Sequence, residues 1–261
     1  MQPASVSNNR VLDFNKKMVR MYLKYGSVDR IFRINRYNLP ISYPGLHHML
    51  DRWGIVKSVG PNSTLSETIT ILSLYLNSGS SVSHFLKKLP SSLKSPLSTF
   101  HKILHNLKEG IIRRTGTALV ITLKGEKTKV LLAEDITPRN LQIGKVPGYL
   151  TVPVTYSKEG EDPRKSILRV LQQEVFTDDA VDRYLDDSII PNSPKPFMFL
   201  NIADIKIQVF HLEIDKKYLK KHKFSSQKII NHKFVKIEDA KKLNLRMGVD
   251  KILTRFIEVF G

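Results

Sequence analysis

Residues 160–176, GEDPRKSILRVLQQEVF, decide how the second half of this 261-residue chain is read. Asp162 stands where an N-cap carboxylate accepts the first free amides, and Pro163 follows at the first helical position, where a missing N–H costs nothing. Ile167, Leu168, Leu171 and Val175 then recur at helical spacing, which predicts a helix with one apolar face. Val170, Gln173 and Glu174 stand at i, i+3 and i+4 and are expected side by side on its other face. Carboxylates at that spacing can hold a divalent cation, and here only Glu174 is one.

Around this helix the pattern turns to period two. Residues 118–123, a turn at Gly125 and Glu126, and residues 129–133 predict a hairpin. Residues 148–156 form a strand leading to the helix, and 197–200, 203–214 and 232–237 are further strands. In 203–214 Ile205, Ile207 and Val209 share one face, Lys206 and Gln208 the other. Glu238, Asp239 and Ala240 start a short helix, and Val249, Ile252, Leu253, Phe256, Ile257 and Phe260 form the stripe of a terminal one. Strands around a central helix with a closing helix predict an α/β domain over 116–261.

The first half differs in charge. The chain carries a net charge of +18, and residues 1–115 hold 17 Lys and Arg against 5 Asp and Glu, the remainder 25 against 19. Such an excess in the helical half points to a polyanionic partner. After a flexible tail at 1–10, residues 11–60 offer three short helices carrying Phe14, Met18 and Tyr22, then Val28, Ile31 and Phe32, then Leu46, Met49, Leu50 and Trp53. Their size and rhythm resemble a helix-turn-helix unit. Residues 61–115 repeat the theme: a capping box at 64–67, helices at 65–76 and 82–89, and a third from Ser95 and Pro96 burying Leu97, Phe100, Leu104 and Leu107. A basic run through Arg113 and Arg114 into residues 117–122 then resembles the wing of a winged helix-turn-helix. The candidate nucleic-acid contacts are Arg52, Ser98, Thr99, Lys102, Asn106, Arg113 and Arg114: cations for phosphates or guanine edges, Asn106 for adenine, hydroxyls for backbone oxygens. Duplex DNA is favoured over RNA, because no aromatic and glycine stacking motif of a single-strand reader is present.

Other chemistry is sparse. The chain has no cysteine, which excludes disulfides, thiolate metal sites and a cysteine nucleophile, and no apolar run of membrane-spanning length. An intracellular location, cytoplasm and nucleoid or nucleus, is expected. His101 and His105 share a helix face without an acidic companion, and a solvent-facing or DNA-facing pair is expected rather than zinc. Asp178, Asp179, Asp182, Asp186 and Asp187 form an acidic cluster, read as a solvated face with a replacement metal site as the alternative.

The stretch at 160–176 resembles the Nudix box, with Gly160, Glu161, Arg169, Leu171 and Glu174 matching its pattern and Val170 and Gln173 standing where two metal-binding glutamates belong. The resemblance extends over 116–261 through the order of strands and the closing helix. It implies a Nudix-like α/β sandwich, joined here to an all-α tandem helix-turn-helix and winged-helix part. It also implies magnesium-dependent hydrolysis of nucleoside diphosphate derivatives, but a lone Glu174 is a poor magnesium site. Arg169 is expected to pair with Glu174 or Asp162, and Glu159 and Glu161 to act as charges at the helix N-terminus. No catalytic residue and no cofactor are therefore expected. The expected function is a DNA-binding regulator whose degenerate Nudix-like domain senses a small nucleotide-like ligand or contacts a protein, and such a regulator is compatible with a homodimer. The alternatives are an active diphosphate hydrolase using magnesium and other carboxylates, and a structural RNA-binding protein of a ribonucleoprotein assembly.

Overall fold

Strand β1 (Arg114–Leu123) is buried along almost its whole length and takes hydrogen-bonding partners on both sides. In the computed structural model, which describes residues 4–57, 97–109, 114–158, 160–202 and 205–261, it lies inside a four-stranded sheet. There it pairs antiparallel with β4 (Val154–Ser157) and parallel with β6 (Ile205–Ile214), from Arg114 opposite Ile205 to Leu123 opposite Ile214. Strand β5 (Met198–Ile202) closes the far edge. A second sheet joins β2 (Lys129–Asp135) to β3 (Leu150–Thr151) and β7 (Ile229–Lys236).

Alternation along these strands feeds two cores. Ala118 and Val120 of β1, Val130 and Leu132 of β2 and Val209 of β6 pack with Val249, Ile252, Leu253 and Phe256 of the terminal helix α7 (Val249–Phe260). Their neighbours Leu119, Ile121, Leu131, Phe210 and Leu212 pack instead with Ile167 and Val170 of helix α5 (Pro163–Val170) and with Leu171 and Val175 beyond it. Each such side chain taken fully out of water contributes about 1.5–3 kcal/mol. The C-terminal half is thus a mixed α/β layer with a helix on each face.

Two sequence expectations change here. Residues 118–123 and 129–133 do not form a hairpin: the chain turns at Gly125, in the left-handed region at φ +76°, and the two strands enter different sheets. The ten-residue parallel pairing with β6 claims the edge that a hairpin partner would need. The strand expected at 148–156 is likewise split, because Pro153 has no N–H for a ladder. Its carbonyl accepts from the Leu119 amide at 3.0 Å, and β3 and β4 on either side of it join different sheets.

The N-terminal helices α1 (Ala4–Tyr25), α2 (Val28–Ile34) and α3 (Tyr43–Arg52) lie where the apolar spacing predicts three helices. The Ser27 hydroxyl accepts from the Arg30 amide at 3.2 Å and the Ser42 hydroxyl from the Gly45 amide at 3.1 Å. Residues 4–10, expected as a tail, are instead the first turns of α1, since no proline or glycine interrupts the chain between Pro3 and Gly26. Val28, Ile31, Phe32, Leu46, Met49 and Leu50 are buried as the spacing predicts.

This three-helix core is not closed by itself. Ala180 and Val181 of α6 (Thr177–Asp182), which follows the box, complete it. Trp53 donates its indole N–H to the Val181 carbonyl at 2.9 Å. Gln172 makes two further links, accepting from the Val56 amide at 2.9 Å and donating to the Gly54 carbonyl at 2.8 Å. Basic side chains of α1 meet the acidic cluster, Lys16 with Asp182 at 2.7 Å and Arg20 with Asp178 at 3.9 Å.

Helix α4 (Leu97–Lys108) lies where a helix is expected from Ser95 and Pro96, and the expected helices at 65–76 and 82–89 lie outside the described residues. Residues 117–122, expected to border the wing, are interior strand. No described helix is long and apolar enough to cross a membrane.

Removing the Gln172 amide tests the joint between the halves. Gln172→Ala removes the partner of the part-buried Val56 N–H and of the Gly54 carbonyl, an expected loss of about 1 kcal/mol. Urea unfolding followed by Trp53 fluorescence should show a lower midpoint, and an unchanged midpoint would mean that other contacts hold the joint.

Candidate functional site

The box helix α5 begins as the sequence predicts, with the Asp162 carboxylate accepting from the Arg164 amide at 2.9 Å and Pro163 in the first turn. Its most constrained side chain is Arg169, which is fully buried. The guanidinium grips the Glu161 carboxylate in bidentate fashion, with Nη1 at 2.6 Å from Oε2 and Nη2 on Oε1. Two further N–H groups reach the Lys57 carbonyl at 3.1 Å and the Tyr156 carbonyl at 3.2 Å. The partner of Arg169 is therefore Glu161, and neither Glu174 nor Asp162. Gly160, at φ +67°, turns the loop so that Glu161 points back along the helix rather than acting as an end charge. Burial works against ionising Glu161, but Arg169, the Ser166 hydroxyl at 2.9 Å and the Lys158 amide outweigh it and hold the carboxyl below its usual range.

After Val170 the helix widens into a π-turn (Leu171–Val175), closed by the Phe176 amide on the Leu171 carbonyl at 2.7 Å. The widened turn changes the angular step per residue, and Val170, Gln173 and Glu174 do not share a face. Val170 lies in the apolar core against β1 and β6, whereas Gln173 and Glu174 line a cavity of about 610 Å³. Lys228, which precedes β7, reaches between these two, its ammonium 2.7 Å from Gln173 Oε1 and 3.6 Å from Glu174 Oε1. Burial pushes the Glu174 carboxyl up, and Lys228 and Lys145 oppose that shift.

A metal-binding trio is not assembled by these residues. Val170 offers no donor, the Gln173 oxygen already accepts from Lys228, and Glu174 faces an ammonium where a cation would sit. Among the described residues no three His, Asp or Glu side chains gather in a metal-binding group. The acidic cluster after the box is divided among Lys16, Arg20, Arg164 and His222.

The same cavity is lined by Lys24 and Arg30 from the α1–α2 corner, and by Lys145, Lys228 and Arg246 from the sandwich. Among the described residues Glu174 is the one carboxylate in its lining. Val154, Tyr156, Ile205 and Ile207 supply an apolar wall. A second depression of about 750 Å³ opens beside Lys57 and Glu161, and six of its charged side chains are paired with each other: Arg169 with Glu161, Lys57 with Asp51 and Arg164 with Asp187. Lys145, Lys228 and Arg246 had no sequence signal, being isolated cations more than fifteen residues apart that only folding brings together.

The residues expected to meet nucleic acid are dispersed. Ser98 and Lys102 are exposed on α4 together with His101 and His105, Asn106 is half-buried, and Leu104 is buried. Arg52 is exposed at the end of α3, where its carbonyl accepts from Arg183 at 3.1 Å. Arg114 is the half-buried first residue of β1, donating to the Tyr156 hydroxyl at 3.1 Å with its guanidinium 5.2 Å from that ring's centre. The Thr99 side chain and Arg113 lie outside the described residues.

The depressed Glu161 carboxyl has a consequence for acid stability. A carboxylate whose folded pKa lies below its unfolded value, about 4.3, stabilises the fold above that value and ceases to as pH falls through the folded pKa. Glu161→Gln strands a buried guanidinium, an expected loss of about 3–5 kcal/mol at neutral pH. Thermal melts from pH 7 to pH 3 should show the variant less stable at pH 7 and converging on the parent protein in acid, and a constant gap would remove Glu161 from the acid response.

No protein-family model matches the chain. No curated protein matches it. Among solved structures it is similar to the NUDIX domain of NrtR from Shewanella oneidensis complexed with ADP ribose, at a TM-score of 0.41 and 10% identity over 70% of this chain and 100% of that one. A MutT structure from work on Aliivibrio salmonicida and Vibrio cholerae gives 0.40 and 13% over 57% of this chain and 99% of that one. The bifunctional NMN adenylyltransferase/ADP ribose pyrophosphatase of Francisella tularensis, complexed with AMP and manganese, gives 0.43 and 10% over 62% of this chain and 49% of that longer one. At such scores and identities they assign this chain neither a family nor an activity.

Proposed function

We propose that the chain is a DNA-binding regulatory protein whose Nudix-like C-terminal half senses a small nucleotide-like ligand instead of hydrolysing one. The observation that carries this reading is that one cavity is walled by both halves, by Lys24, Tyr25, Gly26 and Arg30 on one side and by the box residues Gln173 and Glu174 on the other. A ligand there touches the three-helix unit and the box helix together, so its binding energy can bias how they are held. The buried joint through Gln172, Arg169 and Trp53 supplies the path between them. Hydrolysis lacks support because the box positions that would hold magnesium carry Val170 and Gln173.

The DNA side of the reading rests on charge and on α4. The first 115 residues carry 17 basic against 5 acidic residues, and α4 exposes Ser98, His101, Lys102 and His105 along one surface. Helices of this kind gain affinity mainly through phosphate contacts and counterion release.

Binding of the whole chain to duplex DNA, single-stranded DNA and structured RNA, each across a salt series, tests this directly. Duplex DNA should bind best and weaken steeply with salt, and Lys102→Ala should lower the salt slope by about 1. Duplex binding that is absent or insensitive to salt, or a preference for structured RNA, overturns the reading.

A further inference from the structure

We propose that the cavity between the halves binds a phosphate-bearing organic anion without any divalent cation, the Lys228 ammonium standing in the place of the metal between Gln173 and Glu174. This rests on the reading of the cavity as a sensing site and adds the chemistry by which it recognises its ligand.

Lys228 is held in this position from several directions. Its ammonium donates to Gln173 Oε1 at 2.7 Å and stands 3.6 Å from Glu174 Oε1. Its amide donates to the Ser226 hydroxyl oxygen at 3.1 Å, and its carbonyl accepts from the Ile136 amide at 3.0 Å. Ser226 in turn donates to the Gln173 carbonyl at 2.9 Å, which ties the lysine's loop to the π-turn of the box. Both box side chains thus present their oxygens to a cation that belongs to the chain. An ammonium so placed leaves no room in charge or geometry for magnesium, which requires near-octahedral oxygen ligands.

What remains in the cavity is positive. Lys145 donates to the Thr137 hydroxyl at 3.3 Å, and Arg246 is braced from behind by Asp135 at 3.5 Å. Lys24 and Arg30 close the opposite rim, with Lys24 Nζ 5.5 Å and Arg30 Cζ 5.0 Å from the centre of the Tyr25 ring. Among the described residues, five basic side chains therefore face a space lined by one carboxylate. Like charges gathered in a half-buried space repel one another, and the Lys145 ammonium is disfavoured first by burial and then by Arg246. An anion removes that repulsion, and phosphate oxygens match Lys and Arg donors well. Two buried polar groups of the lining, Gln173 Nε2 and Thr155 Oγ1, have no hydrogen-bond partner among the described residues, a further mark of a site built for polar company. The apolar wall of Val154, Ile205 and Ile207 beside the cations fits a ligand with an organic body rather than a bare phosphate.

Isothermal titration calorimetry of the full chain with inorganic pyrophosphate and with ADP, in EDTA and again in excess magnesium, tests the proposal. Both should bind in EDTA, ADP more tightly, and magnesium should not strengthen either. Lys228→Gln and Lys145→Gln should each weaken ADP binding about tenfold or more, while Lys228→Arg, which keeps the charge, should lose less. Circular dichroism and thermal melts establish that each variant is folded. If Lys228→Gln does not fold, Lys145→Gln and the exposed pair Lys24→Gln with Arg30→Gln carry the same test at sites that leave the box intact. Binding that needs magnesium, that is indifferent to these substitutions, that ranks pyrophosphate above ADP or that is absent for both probes overturns the proposal. Duplex DNA binding measured on the same preparations separates the two readings: lost ADP binding with intact DNA binding sinks the cavity assignment alone, and the converse sinks the regulator alone.

Discussion

The buried guanidinium of Arg169 is the interaction on which the rest of the molecule depends. A charge taken fully out of water is tolerated only when it is paired and hydrogen-bonded, and Arg169 places four of its five N–H groups on the Glu161 carboxylate and two backbone carbonyls. Those partners come from three parts of the chain: the loop before the box helix, strand β4 through Tyr156, and Lys57 leaving the three-helix unit. One side chain therefore sets the entry angle of the helix, its distance from the sheet and the seat of the N-terminal unit.

The second constraint is the widened turn at Leu171–Val175. It lets Val170 and Val175 remain in the apolar core while Gln173 and Glu174 border the cavity. A regular helix would have aligned Val170 with Gln173 and Glu174 on a single face, as the spacing alone implied. Phe176, packed against Phe224 with ring centres 5.6 Å apart, anchors the end of this turn, and the loop that carries Phe224 leads directly to Ser226 and Lys228. The aromatic contact and the polar one belong to the same short segment, so the position of the ammonium is tied to the packing of the core.

Many of the elements were legible in the sequence. The alternation over 203–214 marked β6, the cap at Asp162 marked the start of the box helix, and the stripe from Val249 to Phe260 marked the last helix. These features are local, and local spacing suffices for them. The hairpin expected from residues 118–133 was wrong for a non-local reason. Each strand found a longer or better-buried partner elsewhere, β1 with β6 and β2 with β7, and no count of neighbouring residues contains that competition. The same holds for Arg169, whose true partner stands eight residues earlier and is brought round by a left-handed glycine.

The sequence by itself determined the class of the C-terminal half, the helix at 163–170, the loss of carboxylates at Val170 and Gln173, and the concentration of positive charge in the first 115 residues. Composition and short-range spacing carry those properties, and folding does not alter them. Only the tertiary structure decided that the three-helix core is completed by Ala180 and Val181, and that Lys228 stands between Gln173 and Glu174. It also brought Lys24, Arg30, Lys145 and Arg246 around one cavity. These residues lie far apart along the chain, and their meeting depends on which strands pair and which faces bury, a global balance that single residues do not encode.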